Sequence, residues 1–154
     1  MEVVYPCGKE AIEMVLPHRD PFIWVSCVLS CEPGKRVVAE LDVDADLPLF
    51  AGHFPAHPVL PGVLLMEALA QAASFCLLVG SGAEGRIGFL AGIDHARFRH
   101  QVLPGDTVRL EAEIVRSSQR LCVAEVEATI DGVVCAEATQ RYVLAKQDGT
   151  GGAS

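Results

Sequence analysis

Two ionisable side chains stand out by what surrounds them. His53 lies in "GHFPAHPVLPG" (residues 52–62), where two histidines, three prolines and two glycines share eleven positions. Glu67 is the only charged residue in the apolar run that follows, "VLLMEALAQAASFCLLV". A carboxyl group is costly to bury unless something pairs with it or uses it. Between the two, Pro61 fixes the chain where a helix-starting amide would lack a partner. The Gly62 N–H is then left at the positive end of the helix dipole, ready to bond a carbonyl oxygen or an oxyanion. An imidazole, a carboxyl group and such an amide suit proton removal beside a carbonyl, with the enolate oxygen held by the amide.

The bland readings are specific too. Glu67, Gln71 and Ser74 are spaced by four and three, one stripe of a helix. That stripe could be the wetter side of a core helix, although a helix this apolar elsewhere offers no solvent face. Gln71, one turn beyond Glu67, is placed to hold its carboxyl group by a hydrogen bond. His53 and His57 are four apart, which on a helix would suggest a metal pair, but Pro55 and Pro58 forbid that helix and no third ligand is evident. A loop histidine such as His53 could also be a turn or packing residue. His57, His18, His95 and His100 are read as structural.

The elements that must hold these groups follow from periodicity. "KEAIEMVLP" reads as a short amphipathic helix closed by Pro17, and "PFIWVSCVLSCEPGKRVVAELDVD" as two strands joined at a Glu32–Lys35 turn. Residues 45–61, with four prolines and no periodicity, form a structured loop before the apolar helix, which ends near Gly80. "RIGFLAGIDHARFRHQV" is a long strand kinked at Gly92; "TVRLEAEIVRS", "RLCVAEVEATI" and "VVCAEATQRYVL" alternate as strands, the last two joined by a tight Asp131-Gly132 hairpin. About six antiparallel strands and one helix that is apolar almost all round give an α+β fold, with the sheet curved around the helix. The open sheet edges invite pairing with a second copy.

At 154 residues the chain suits a single domain, read as 1–146, followed by a flexible Gly-rich tail, 147–154. A formal charge of −8 argues against nucleic acid or an anionic membrane as partner. Residues 62–79 are just long enough to span a bilayer, but Glu67 and Gln71 lie inside them and no basic or aromatic belt flanks them, which favours a core helix. The first residues lack the pattern of a secretory signal, and six cysteines without a CxxC pair read as reduced thiols in a cytoplasm.

"LPHRDPFIWV", "GHFPAHPVLPGVLLMEALAQAA", "FLAGIDHARFRHQVLPGD" and "DGVVCAEA" together resemble the FabZ-type (3R)-3-hydroxyacyl-acyl-carrier-protein dehydratases, in order, over residues 16 to about 137. The resemblance implies a hot-dog fold and removal of water from a 3-hydroxyacyl thioester, giving a trans-2-enoyl thioester. The substrate rides on the phosphopantetheine arm of an acyl carrier protein, with no metal and no redox cofactor. It makes His53 and Glu67 the catalytic pair, contributed by different subunits of a homodimer with shared sites, which can assemble further as a trimer of dimers. It assigns the thioester-holding amide to Gly62 and the histidine-orienting carbonyl to Val59; Phe54 and Gln71 complete the expected substrate surroundings. Aspartate at the helix position would mark the related dehydratase–isomerases, so Glu67 favours plain dehydration. Trp24, Ser26 and Cys27 depart from the family, standing where a charged pair is usual.

Two rivals have different signatures. A hot-dog thioesterase would release free acid and thiol, and a non-catalytic subunit would lack His53 or Glu67. An acidic carrier meeting a chain of charge −8 needs a local basic patch. Strand alternation puts Arg97 and Arg99 on one face, opposite Phe98, with only Asp94 nearby in sequence to offset them. These two are the expected docking residues, with Lys35, Arg36 and Arg141 next in line.

Overall fold

The tight turns adopt the conformations their residues suit. Gly34 takes φ 74°, and Asp131 and Gly132 take 48° and 80°, the positive pair of a two-residue hairpin whose twist matches its strands. In the computed structural model, which describes residues 2–82 and 86–145, these turns join β1 (Cys27–Glu32) to β2 (Arg36–Asp42) and β5 (Leu121–Ile130) to β6 (Val133–Ala145). With β3 (Ile87–Phe98) and β4 (Thr107–Ser117) they form one six-stranded sheet in the order β1-β2-β4-β5-β6-β3. Every neighbouring pair is antiparallel. The helices are α1 (Lys9–Val15) and α2 (Gly62–Leu78). The expected tail, 147–154, lies outside the described residues.

α2 packs against all six strands. From Leu65 to Leu78 every residue of it is buried except Glu67. The sheet makes room with small inward residues, Ala112 on β4, Ala124 and Ala128 on β5, and Ala136 and Ala138 on β6, all buried. This is the hot-dog arrangement: one long helix wrapped by one antiparallel sheet. Its outer face is acidic and oddly matched. Glu127 stands opposite Glu111 on one side and Glu137 on the other, and Glu113 stands opposite Glu125.

Three local differences from the sequence reading have physical causes. The strand expected from Phe22 begins only at Cys27, because Gln71 takes the Phe22 carbonyl and the Trp24 amide into its own hydrogen bonds. The proline-rich loop contains a 3₁₀ turn, Pro48–Ala51, opened by a proline whose missing N–H costs nothing there. β3 slips register beside Gly92, as expected, and again between Asp94 and Arg97, where His95 takes φ 55°. β1 is bridged on its outer side by Cys7 to Val28, whereas β3 has a strand only on its β6 side among the described residues.

Candidate active site

His53 is clasped by its own loop. The Val59 N–H donates to the His53 carbonyl at 3.0 Å, and the Val59 carbonyl lies 2.9 Å from His53 Nδ1. A carbonyl only accepts, so Nδ1 carries a ring hydrogen, and in the neutral ring Nε2 is the nitrogen with the lone pair. The Phe54 ring stacks on the imidazole at 4.2 Å, which fixes its plane. His57 ties the loop down, its Nε2 3.1 Å from Gln101 Oε1. Leu60 N–H bonds the Val102 carbonyl at 2.8 Å and carries the loop into α2.

At the start of α2, Pro61 takes the cap position with φ −57°, and among the described residues neither the Gly62 nor the Val63 amide has a hydrogen-bond partner. Phe98 of β3 lies over Gly62. A Cβ on that glycine would meet the ring's Cε1 at 2.7 Å. His53, Val59, Gly62, Val63 and Phe98 line a cleft of about 520 Å³. One imidazole nitrogen and free helix-start amides therefore share a cavity.

Glu67 lies elsewhere on the same chain. It does not line this cleft, and its contacts are with Gln71 and His18. Gln71 Nε2 donates to Glu67 Oε2 at 2.9 Å and to the Phe22 carbonyl at 2.9 Å, while its Oε1 accepts the Trp24 N–H at 2.9 Å. The buried Gln71 is thus a fixed strut between the carboxyl group and the segment before β1. Ser74, on the same stripe, faces Gly88 of β3 and not Glu67.

His18, read as structural, stands beside the carboxyl group, with Nε2 3.7 Å from Glu67 Oε2. The signal was available. His18 follows Pro17 and precedes Pro21 by three, the same proline-stiffened setting that singled out His53. Burial pushes its imidazolium below the usual range, the Glu67 charge opposes that, and Arg19 reinforces it.

Ser26 and Cys27, where a charged pair was usual, bond within the sheet. Ser26 Oγ accepts the Asp42 N–H at 2.8 Å, and the Cys27 thiol reaches Glu40 at 3.5 Å. All six cysteines are free thiols. No described helix is long and apolar enough to cross a membrane, and no group of described His, Cys, Asp or Glu side chains has the arrangement of a metal site.

Arg97 and Arg99 are less free than the strand alternation suggested. Arg99 pairs with Glu137 at 3.0 Å, and Arg97 stands opposite Glu137 in the β3–β6 register. The Arg99 contact lowers the Glu137 carboxyl and raises the guanidinium. Arg141 is taken up by Asp94 at 2.6 Å. Lys35 pairs with Glu32, and Arg36 with Glu111. Arg97 is in no ion pair among the described residues.

Comparison with known proteins shows the family. A family model described as FabA-like domain matches residues 16–139. The chain is 47% identical over 138 residues to a 3-hydroxyacyl-(acyl-carrier-protein) dehydratase FabZ of Ruminiclostridium cellulolyticum, covering 90% of this chain and 97% of that one. It is 46% identical over 133 residues to the protein of the same name from Listeria welshimeri, covering 86% and 92%. Among solved structures, a dehydratase heterocomplex from Xenorhabdus doucetiae superposes with a TM-score of 0.73 at 18% identity, covering 94% of each chain. That likeness speaks for the fold alone.

Proposed function

The chain belongs to the FabA-like family and, within it, to the FabZ-type 3-hydroxyacyl-acyl-carrier-protein dehydratases, and on that premise we propose how its own residues carry the reaction. The enzyme is a hydro-lyase: it takes water from a (3R)-3-hydroxyacyl thioester and leaves the trans-2-enoyl thioester. His53 Nε2 removes the proton at C2. The Gly62 amide holds the thioester oxygen as charge builds on it, and Glu67 gives a proton to the hydroxyl leaving C3. The observation that carries this reading is the Val59 clasp on Nδ1, which leaves Nε2 as the free ring nitrogen of a residue lining the same cleft as Gly62. Phe54 keeps the ring in plane, and Gln71 keeps the carboxyl group in place.

His53 and Glu67 share no contact within one chain, so the working site takes His53 from one copy and Glu67 from another. The open edge of β3 is where two copies meet, as a homodimer able to assemble into a trimer of dimers. The carrier protein brings the substrate on its phosphopantetheine arm and docks at Arg97 and Arg99; no resident metal or cofactor has a step to perform. Residues 1–146 act as one domain, in the cytoplasm.

Two assays test this. Purified protein given (3R)-3-hydroxyacyl carrier should yield enoyl thioester; free acid and thiol would make it a thioesterase. Each proton transfer is worth about 10²–10⁴ in rate, so His53→Ala and Glu67→Gln should each nearly abolish turnover. Mixed after subunit exchange, the two inactive variants should recover part of it through hybrid sites. No recovery after proven exchange would place both residues of a site in one chain.

A further inference from the structure

Alternate residues of β6 face inward: Ala136, Ala138, Gln140 and Tyr142, all buried. The first two are among the small residues that make room for α2. The last two are polar, and both are fully buried. In the ladders Gln140 stands between Ala124 of β5 and Ile93 of β3, and Tyr142 between Cys122 and Leu90. In such surroundings both partners of a buried hydrogen bond can be replaced by apolar groups of the same shape with little loss of stability. Stability alone therefore does not account for the pair.

Its hydrogen bonds point to another account. Tyr142 donates its hydroxyl hydrogen to Gln140 Oε1, which fixes the amide with Nε2 toward α2. That nitrogen donates to the Met66 carbonyl at 3.0 Å and meets Met66 Sδ at 3.7 Å. Burial, then the Cys122 thiol and the Glu67 charge, push the Tyr142 phenol well above its usual range, so its hydrogen stays in place to donate. A carbonyl inside a helix already accepts the N–H four residues on, and Met66 lies inside α2. The bond from Gln140 thus rescues no stranded acceptor. It fixes a peptide plane, and the Met66 carbonyl belongs to the same planar unit as the Glu67 N–H.

We propose that Gln140, set by Tyr142, is a positioning residue for Glu67, pinning the peptide that carries it while Gln71 pins its carboxyl group. The inference rests on the dehydratase reading, in which Glu67 delivers the proton to the leaving hydroxyl. Glu67 is then held at both ends. Gln71 ties the carboxyl group to Phe22 and Trp24 before β1, and Gln140 ties the backbone to β6. With Gln71 alone, the helix could still turn or slide beneath the carboxyl group. With Gln140 alone, the side chain could still swing. A misplacement of about 1 Å at a reacting group can cost about 10²-fold in rate, so both restraints matter. Gln140 and Tyr142 are fully buried and touch no substrate; they act through Glu67.

The test replaces both residues at once. Gln140→Leu with Tyr142→Phe strands no buried polar partner, so the urea midpoint should stay close to the parent's. With (3R)-3-hydroxyacyl carrier as substrate, kcat should fall about tenfold while KM stays within about twofold. Placed on Glu67→Gln, the same two changes should lower the residual kcat less than about twofold, because no proton delivery is left to misplace. An undiminished kcat in the first case would overturn the proposal. So would an equal loss on both backgrounds, which would mark a general loosening of the core. If the double variant does not fold, Tyr142→Phe alone removes a single oxygen and is read by the same two outcomes, with a loss of about threefold expected. A parent without dehydratase activity, or Glu67→Gln at the parent rate, would instead refute the reading beneath the inference, which keeps the two failures apart.

Discussion

A methyl group at Gly62 would sit 2.7 Å from the Phe98 ring, closer than real contacts allow. Phe98 is 55% exposed and free to swing, so the fold should tolerate the change while the cleft does not. Gly62→Ala is expected to lower kcat/KM about tenfold, below the 10²–10³ for losing an oxyanion donor outright, because the amide itself remains. Thermal unfolding should move little. Adding Phe98→Ala should restore part of the rate; failure to do so would mean that Gly62 matters for something other than space. At this scale the sequence was informative about His53, Gly62 and Glu67, whose neighbours are odd for their residue types. It was less so about His18, whose neighbour Glu67 is 49 positions away, and about the Trp24 and Phe22 partners of Gln71, 47 and 49 positions away, which arrive only with the fold. The Gln71–Glu67 bond, four positions apart, was legible.

Among the elements, the outer face of the sheet sets like charges against each other. Glu127 faces Glu111 and Glu137 across two ladders and is in no ion pair among the described residues. Like charges directly opposite destabilise a sheet, each pair by some tenths of a kcal/mol. Glu127→Lys should therefore raise stability by about 0.5–1 kcal/mol, seen as a higher urea midpoint at unchanged slope, with turnover unaffected. A lower midpoint would mean that the carboxylate is held by something other than the ladder. The strands themselves were legible, because apolar and polar residues alternate from Val108 to Ala112 and from Ala124 to Ala128. The β1 start was not: nothing in "PFIWV" announces that a helix side chain will claim its backbone groups. Nor does "IDHARF" announce the second register slip, since the residue at positive φ is His95 and not a glycine.

For the whole molecule, the difficulty is how an acidic chain receives an acidic carrier. Arg99 is half spent on Glu137, so Arg97 carries the larger share of the proposed docking. Arg97→Glu with Arg99→Glu should raise KM for a carrier-bound substrate several-fold and flatten its salt dependence, because steering by exposed charges is screened within about 10 Å at 0.1 M salt. A small pantetheine or coenzyme A thioester should be turned over almost as before. Equal losses on both substrates would make the arginines structural. Net charge gave the problem from sequence alone, but not the answer. Pairings such as Arg99 with Glu137 and Arg141 with Asp94 join strands that are distant in the chain, so the free basic surface is a property of the assembled sheet.

Trp24 is the chain's only tryptophan, nearly buried, edge-on to Phe22 and joined through its amide to Gln71 and so to Glu67. Among the described residues its indole N–H has no partner, so no fixed hydrogen bond there masks its response to the field around it. The protein thus contains one tryptophan fluorophore, joined through Gln71 to the proposed acid Glu67 and insulated from bulk solvent. Its emission should change when the charge or occupancy around Glu67 changes, readable without a label or a coupled assay.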